Sequence, residues 1–421
     1  MTGLRAPFTV KGGGHTAFAG GSNIADGVTV DLRLFDTITV STDRKTVSVG
    51  AGNRWINVTR VLDPQGLAVV GGRVAEPGVG GLVLGGGISY FSGQKGWACD
   101  NVRAYEVVLA SGKVVTASPS SNADLYWALR GGPTSNLGVV TRFDLASFDQ
   151  PTPVWARSLL LPAQLNATLL PLFQNLTVTG LPADEGAHTY LTLLYVPALG
   201  GYAFFTDQYH VAPPAIVEPE WQPAAFQAIG ALPAISSTTK LANLSTLLES
   251  IEQPYGARQT WWNTAVRATS PQLLVDIVPL HEAHVTRILA AANGTDITPF
   301  LTFQPIPVNV LRAMQVNDGN ALGLAPRDGP LMLIQSAATW ASPAIDSVVE
   351  ASTRRFIQEV NALAKKRGLD HGFVYVNYAG KDQDVYASYG NENLARLRKT
   401  AKKYDADGDL QKLWKGYFKL W

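Results

Sequence analysis

The stretch Lys11-Gly12-Gly13-Gly14-His15 decides how this sequence is interpreted, because three adjacent glycines run directly into a histidine. Glycine removes the Cβ atom where backbone must approach a ligand closely, and it tolerates positive φ. Successive N–H groups in such a loop form an anion-binding concavity, which suits the pyrophosphate of a dinucleotide. The segment predicts a phosphate-binding loop with an imidazole within reach of the bound cofactor.

A second glycine-rich stretch follows downstream and reads Gly80-Gly81-Leu82-Val83-Leu84-Gly85-Gly86-Gly87. Neither stretch has the spacing of a Rossmann fingerprint or of a Walker A loop. A single isolated glycine run is typical of tight turns and bulges. Several runs in the first third of the chain, one of them ending in histidine, favour a cofactor site.

Composition and charge describe a well-packed protein without a global electrostatic partner. The chain has 421 residues, of which 46% are hydrophobic and 16% charged, and its net charge is +1. This balance predicts no attraction to nucleic acid. No apolar stretch has the length of a membrane span, and no signal peptide is evident at the start. Partners must therefore be inferred from individual sites, and the oligomeric state stays open.

Cysteine and asparagine usage point in different directions. Cys99 is the only cysteine, which excludes an internal disulfide. The pattern N-x-[ST] nevertheless marks glycosylation acceptors and indicates a secreted protein or the secretory pathway. We therefore expect that a leader is missing from the front of this sequence. The acceptors are Asn57, Asn166, Asn175, Asn243 and Asn293.

Glycine distribution places a domain boundary near residue 150, since more than half of the 40 glycines precede Phe148. We predict a cofactor domain over 1–148, a substrate domain of helices on a sheet over 149–378, and a C-terminal segment over 379–421. Periodicity adds individual elements. The predicted strands include 27–32, 37–41, 46–51, 189–196, 331–339 and 372–378, and the predicted helices include 54–62, 271–292, 344–366 and 393–403.

Two acidic or histidine-containing segments resemble metal sites only superficially. His281 and His284 share a helical face, but a zincin needs i and i+4 spacing and no third ligand is evident. The segment 405–409 has the composition of a calcium loop without the glutamate at loop position twelve. The sequence predicts no metal site.

Tyr375-Val376-Asn377-Tyr378 is a second unusual cluster. A strand here would place Tyr375 and Asn377 on one face and Tyr378 on the other. Tyrosines in strands are ordinary, so the cluster alone favours packing over chemistry.

The order of these segments along the chain resembles the flavin-dependent oxidases of the berberine-bridge-enzyme and carbohydrate-oxidase type. The resemblance runs through nearly the whole chain and implies an α+β fold. It consists of a vanillyl-alcohol-oxidase-type FAD-binding domain and a substrate domain with helices on an antiparallel sheet. The matching segments are 11–15, 31–32, 79–87, 96–102, 124–132, 136–141, 375–378, 389–397 and 404–405.

The resemblance implies FAD as the cofactor, joined covalently to His15 through the C8α methyl group. Relatives with a doubly attached flavin carry a cysteine at the position of Val74, so a single covalent bond is expected here. Relatives also carry further β-α units before the histidine loop, and we expect that this gene model is truncated. The other expected cofactor contacts are Gly12, Gly13, Gly14, Thr16, Gly80, Gly81, Gly85, Gly86, Gly87, Asn101, Asn136, Val139 and Asn377.

The implied reaction is an oxidation in which hydride leaves a substrate carbon for flavin N5 and O2 becomes H2O2. Tyr375 is the expected proton acceptor, and Lys95 the cation that favours its phenolate. Gln335, being neutral, would orient substrate or tyrosine. The substrate would be a sugar, an alcohol or a secondary metabolite. Trp261, Trp262 and Gln304 are equally compatible with the pocket and with the core.

Two alternatives stay open at this point. One keeps the flavin but changes the outcome, giving an oxidative cyclase or a dehydrogenase of secondary metabolism. The other is a chain without redox chemistry that acts as a binding or pericyclic scaffold.

Overall fold

The computed structural model describes residues 5–132, 134–150, 153–218, 220–251, 256–292, 294 and 296–421. Three sheets organise this part of the chain. The smallest pairs β1 (Phe8–Lys11) in parallel with β2 (Val28–Asp31). Of the glycosylation acceptors, Asn57, Asn175 and Asn243 are exposed, Asn166 is half-buried, and Asn293 lies outside the described residues.

The second sheet is antiparallel and forms the centre of the first third of the chain. On β4, Val47 and Val49 are fully buried while the intervening Ser48 is not, as expected when side chains alternate between two faces. The turn at Ser111-Gly112 joins two neighbouring antiparallel strands in a hairpin. In spatial order the strands are β3 (Ile38–Val40), β4 (Thr46–Gly50), β8 (Val139–Asp149), β6 (Val102–Val108) and β7 (Val114–Ala117), with β5 (Leu67–Val69) paired to β8.

The third sheet has seven antiparallel strands and occupies the middle of the chain. Its spatial order is β12 (Ser236–Ala242), β9 (Val154–Pro162), β11 (Gly201–His210), β10 (Ala187–Val196), β14 (Ile297–Ile306), β15 (Leu331–Trp340) and β13 (Arg258–Arg267). The α-helices of the chain are α1 (Trp55–Leu62), α2 (Val79–Leu84), α3 (Ser92–Lys95), α4 (Ala123–Leu129), α5 (Asn166–Asn175), α6 (Leu181–Ala183), α7 (Gln227–Gly230), α8 (Leu244–Glu249), α9 (Pro271–Ala292), α10 (Val308–Ala313), α11 (Asp346–Lys366), α12 (Asn391–Tyr404) and α13 (Asp409–Leu413).

One face of the seven-stranded sheet is buried beneath α5, α9 and α11. Leu301, Phe303 and Ile334 project from that face into a core that includes Ile277 of α9 and Phe356 of α11. Because side chains alternate along a strand, the residues between them project from the opposite face. This opposite face of the sheet is therefore not covered by α5, α9 or α11.

The paired histidines of α9 belong to this helical layer. His281 and His284 are fully buried, and both rings pack against Phe356. Burial lowers the pKa of His284 to about 4, so its imidazole is neutral. In the described part of the chain, no group of three or more His, Cys, Asp or Glu side chains is placed to hold a metal.

Several predicted elements are confirmed with small shifts at their ends. The helix over 271–292 is found with the predicted bounds, and α11 begins two residues late because a 3-10 turn, Pro343–Ile345, precedes it. The predicted helix-covered antiparallel sheet is also confirmed. No described helix combines the length and apolar composition that crossing a bilayer requires.

The predicted strand over 372–378 is wrong. Val376–Tyr378 forms a 3-10 turn, closed by the Tyr378 N–H donating to the Tyr375 carbonyl. The Tyr375 N–H donates instead to Oδ1 of Asn263 at 2.8 Å, and Nδ2 of Asn263 donates to the Tyr375 carbonyl at 3.0 Å. A side-chain amide therefore occupies the place of a partner strand, and the turn brings both tyrosines to one side.

The predicted domain limits stay a prediction. The six-stranded sheet ends before residue 150, and residues near the C terminus return to the two-stranded sheet, since the Lys415 N–H donates to the Phe8 carbonyl. The largest core also contains Val154, Tyr209 and Leu331, so buried residues cross the expected boundary.

Candidate functional site

A cavity of about 470 Å³ lies between the two glycine loops and the uncovered face of the seven-stranded sheet. This volume is within the range of small-molecule sites. Each contributing strand presents alternate residues to the cavity, as the two-residue period of a strand requires. The sheet residues that line it are Tyr190, Thr192, Leu194, Phe205, Tyr209, Trp261, Phe300, Thr302, Gln304 and Gln335.

The glycine loops form the opposite wall with their backbones. Gly12, Gly13, Gly14, Gly80 and Gly81 all line the cavity. A Cβ atom on Gly81 would meet no protein atom within 4 Å, so bare backbone faces open space there. The fold therefore leaves room for a bound group directly against this main chain.

His15 stands at the edge of the same cavity. Its ring makes an edge-to-face contact with Trp261, with 5.9 Å between ring centroids. Burial lowers the pKa of His15 below its ordinary value, and nearby Arg54 acts in the same direction, although the effect is opposed by a backbone hydrogen bond and by Glu76. The imidazole is thus favoured in its neutral form, which is the nucleophilic one.

Tyr375 lies beneath the second glycine loop with its hydroxyl surrounded by donors. The hydroxyl oxygen accepts hydrogen bonds from the Gly87 N–H at 3.1 Å, the Ile88 N–H at 3.3 Å and Nδ2 of Asn377 at 2.9 Å. Burial raises the pKa of Tyr375, Tyr378 adds to the rise, and the three hydrogen bonds oppose it. The three hydrogen bonds fix the ring, and burial keeps its phenol protonated at neutral pH.

Tyr378 projects into the cavity beside a guanidinium group. Nη2 of Arg73 donates to the Tyr378 hydroxyl at 2.9 Å, and Nη1 of Arg73 donates to Oε1 of Gln304 at 2.8 Å. Nη1 also lies 2.9 Å from Nε2 of His188. Since an arginine only donates, Nε2 of His188 must accept, so its proton resides on Nδ1.

Lys95 is not the cation of this site. It is absent from the described cavity lining, and its ammonium lies 4.3 Å from the ring centroid of Phe148. The short helix α3 ends at Lys95. The cation that lies beside the tyrosine pair is Arg73.

Some expected cofactor residues line the cavity and others support it from behind. Thr16, Gly85, Val139 and Asn377 line it, as does Gln335 on β15. Four others do not line it. Gly86 approaches Trp97, and the Gly87 N–H donates to Tyr375. Asn101 donates to the carbonyls of Lys95 and Trp97, and Asn136 donates to Ser135 and to the Phe418 carbonyl.

Sequence reasoning missed the arginine and underrated the second tyrosine. Arg73 directly precedes Val74, the position compared with a flavin-linked cysteine, and this adjacency was the one available signal. Tyr378 was assigned to the wrong face because a strand was expected where a 3-10 turn occurs. Of the pocket residues left open, Trp261 and Gln304 line the cavity, whereas Trp262 is a core residue.

Comparison with known proteins agrees with this geometry. A family model described as FAD binding domain matches residues 2–118. The FAD-dependent monooxygenase tpcD of Cochliobolus heterostrophus is 39% identical over 424 residues, which cover 98% of this chain and 80% of that protein. This chain belongs to the FAD-linked oxidoreductases. Another member, the bifunctional solanapyrone synthase of Alternaria solani, is 29% identical over 418 residues, covering 99% of this chain and 77% of that one.

Solved structures show the same fold at lower identity. The 6-hydroxy-D-nicotine oxidase of Arthrobacter nicotinovorans superposes with a TM-score of 0.77 at 20% identity, covering 98% of this chain and 87% of that one. The xylooligosaccharide oxidase of Myceliophthora thermophila superposes with a TM-score of 0.76 at 22% identity, covering 99% of this chain and 87% of that one. A berberine-bridge-enzyme-like protein of Arabidopsis thaliana superposes with a TM-score of 0.70 at 18% identity, covering 96% of this chain and 85% of that one. This FAD-linked oxidoreductase therefore has the vanillyl-alcohol-oxidase-type fold.

The residues of the cavity fit FAD. Backbone without Cβ atoms faces the cavity at Gly81, and the neutral imidazole of His15 stands next to it on the same wall. FAD carries a pyrophosphate that main-chain N–H groups bind well. The residues that would hold it are the two glycine loops, Thr16 and Val139.

We predict that Gly85→Ala destabilises the protein by about 1 to 3 kcal/mol, because the new Cβ would lie 2.1 Å from Oδ1 of Asn377 and backbone or side chain must move. Asn377 holds both the Leu82 carbonyl and the Tyr375 hydroxyl. Urea unfolding of the purified protein measures the change. Gly81→Ala is the matched control and should not lower the free energy of unfolding; equal values for both variants would contradict the prediction.

Proposed function

We propose that this protein is an FAD-dependent oxidase that converts a hydroxyl group of a small molecule into a carbonyl group and reduces O2 to H2O2. The observation that carries the proposal is the Tyr378 hydroxyl, held by Arg73 at the wall of a cavity that also contains His15. When bound, FAD accepts the hydride of the substrate carbon and passes the electrons to O2.

Tyr378 is the proposed proton acceptor, in place of Tyr375. A group that takes a proton from a substrate hydroxyl must reach that hydroxyl and must be stabilised while it is charged. Tyr378 is half-buried at the cavity wall, and the guanidinium of Arg73 donates directly to its oxygen. Tyr375 lines the cavity as well, but its oxygen already accepts three hydrogen bonds from its surroundings, so we assign it to positioning Asn377 and the second glycine loop.

The remaining polar groups of the sheet would orient the substrate. Gln335 on β15 lies in register with Thr302 on β14, and Thr302 in turn shares a hydrogen bond with Thr192. All three line the cavity. Being neutral, they direct a substrate by hydrogen bonding and leave the proton transfer to Tyr378.

A second candidate function is an oxidation that is followed by ring formation. It is supported by the similarity to the solanapyrone synthase, whose name describes a bifunctional enzyme. The apolar residues around Tyr378, among them Trp261 and Phe300, would accommodate a hydrophobic precursor. The oxidation step is the same in both candidates, and only the product separates them.

We predict that Tyr378→Phe slows anaerobic flavin reduction by substrate by about 10²-fold to 10⁴-fold, because the proton acceptor is lost. Stopped-flow absorbance measures this rate. Tyr375→Phe should slow it much less, and Tyr195→Phe, outside the cavity, serves as the control. If Tyr375→Phe causes the larger loss, Tyr375 is the base and our assignment fails.

We predict that aerobic turnover on sugars, benzylic alcohols or phenolic and terpenoid alcohols releases one equivalent of H2O2 for each carbonyl formed. A coupled peroxidase assay measures the peroxide, and mass spectrometry of the product after turnover in ¹⁸O2 measures oxygen transfer. Incorporation of ¹⁸O from O2 into the product without peroxide would identify a monooxygenase and overturn the proposed oxidase.

We propose that His15 carries the only covalent bond to FAD, since Val74 has no thiol to form a second one. The flavin of the wild-type protein should then migrate with the polypeptide on a denaturing gel, and His15→Ala should abolish that fluorescence. A wild-type protein that releases all its flavin on acid precipitation would show that the cofactor is bound without a covalent bond.

A further inference from the structure

Among the described residues that line the cavity, Arg73 is the only arginine, lysine, aspartate or glutamate. Its recorded partners are all neutral, namely the Tyr378 hydroxyl, the amide oxygen of Gln304 and the imidazole of His188. Burial and the neighbouring guanidinium lower the pKa of His188, so this imidazole does not share the charge. A positive charge therefore faces the cavity without a carboxylate in the described chain to balance it.

The nearby acid Asp207 does not supply the missing charge partner. Its Oδ1 accepts from Ser158 at 2.5 Å, and its Oδ2 accepts from Tyr190 at 2.5 Å and from Tyr209 at 3.1 Å. The ring of Tyr190 lies between the two charged groups, with its centroid 5.6 Å from Cζ of Arg73. Three hydroxyl donors thus satisfy Asp207, and no ion pair of the described residues includes Arg73.

The hydrogen bonds of Arg73 with the described residues leave two of its N–H donors open to a ligand. A guanidinium has five N–H donors in a planar fork. The three recorded bonds use both hydrogens of Nη1 and one of Nη2, which leaves Nε–H and one Nη2–H for a ligand. In a bidentate pair, the two oxygens of a carboxylate accept hydrogen bonds from two such coplanar N–H donors.

We propose that Arg73 binds the carboxylate of the substrate, so that this enzyme prefers apolar hydroxy acids to neutral alcohols of the same shape. The rest of the cavity wall suits the apolar part of such a molecule, since Leu194, Phe205 and Phe300 project into it from the sheet. This inference rests on the proposed function for the reaction, and it adds the recognition group. Tyr378 shares Nη2 of Arg73 with the carboxylate, which places the reacting hydroxyl near the bound acid.

The test is a binding titration of the FAD-loaded protein with trans-cinnamate and with cinnamamide, which has the same shape without the charge. Changes in flavin absorbance report binding. Cinnamate should bind at least about tenfold more tightly, because a charge-assisted hydrogen bond to a charged group exceeds a neutral one. Arg73→Gln should bring the two dissociation constants within about twofold, Arg73→Lys should keep a preference, and Arg355→Gln on the outer surface should change nothing.

Three results would overturn the inference. In the first, the wild-type protein binds cinnamate no more tightly than cinnamamide, or does not bind it. In the second, the preference for cinnamate survives in Arg73→Gln. In the third, Arg73→Gln purifies without FAD, which would assign the guanidinium to the cofactor. Because the titration needs no turnover, its outcome is separate from the peroxide assay. A protein that prefers cinnamate but releases no H2O2 would keep this site and lose the oxidase function.

Discussion

The close approach of two main-chain segments at Gly13 and Gly78 is the contact on which the site depends. A Cβ atom on either glycine would lie 2.3 Å from the backbone nitrogen of the other, so the two loops meet only because both residues lack side chains. Arg54 reinforces the junction by donating to the carbonyls of Gly13 and Glu76. The histidine loop and the second glycine stretch are thereby held as one wall of the cavity.

The opposite wall owes its character to the alternation of side chains in the seven-stranded sheet. One face carries aliphatic and aromatic residues under α9 and α11, and the other carries Thr192, Thr302, Gln304 and Gln335 toward the cavity. The helices supply the buried apolar surface, which is the main stabilising contribution of this layer. Polar residues on the other face are then free to contact a ligand.

Arg73 connects the two walls. It lies in the first third of the chain, yet its guanidinium contacts His188 on β10, Gln304 on β14 and Tyr378 in the C-terminal turn. Tyr90 also donates to its carbonyl at 3.0 Å, which fixes the backbone from which the side chain extends. A single side chain therefore joins the chain just before the second glycine stretch to the seven-stranded sheet and to the C-terminal turn.

Elements with strong periodicity were predictable, and elements that depend on distant partners were not. The helix over 271–292 has a continuous apolar stripe, and its bounds were predicted without error. Helix α2 was missed because its glycines disfavour a helix in isolation, so only burial against the rest of the fold stabilises it. The strand predicted over 372–378 failed because Asn263, more than a hundred residues earlier in the chain, bonds the Tyr375 backbone and permits a turn.

By itself the sequence determined the family, the two glycine stretches, the position of His15 and the absence of a thiol at Val74, because these features are contiguous and follow from residue type and spacing. Only the tertiary structure decided which cation faces which tyrosine. Both Lys95 and Arg73 lie close in sequence to the second glycine loop, but the Lys95 ammonium packs on Phe148, whereas Arg73 reaches Tyr378 across 305 positions of the chain. Such pairings depend on the packing of the two sheets, which no local pattern records.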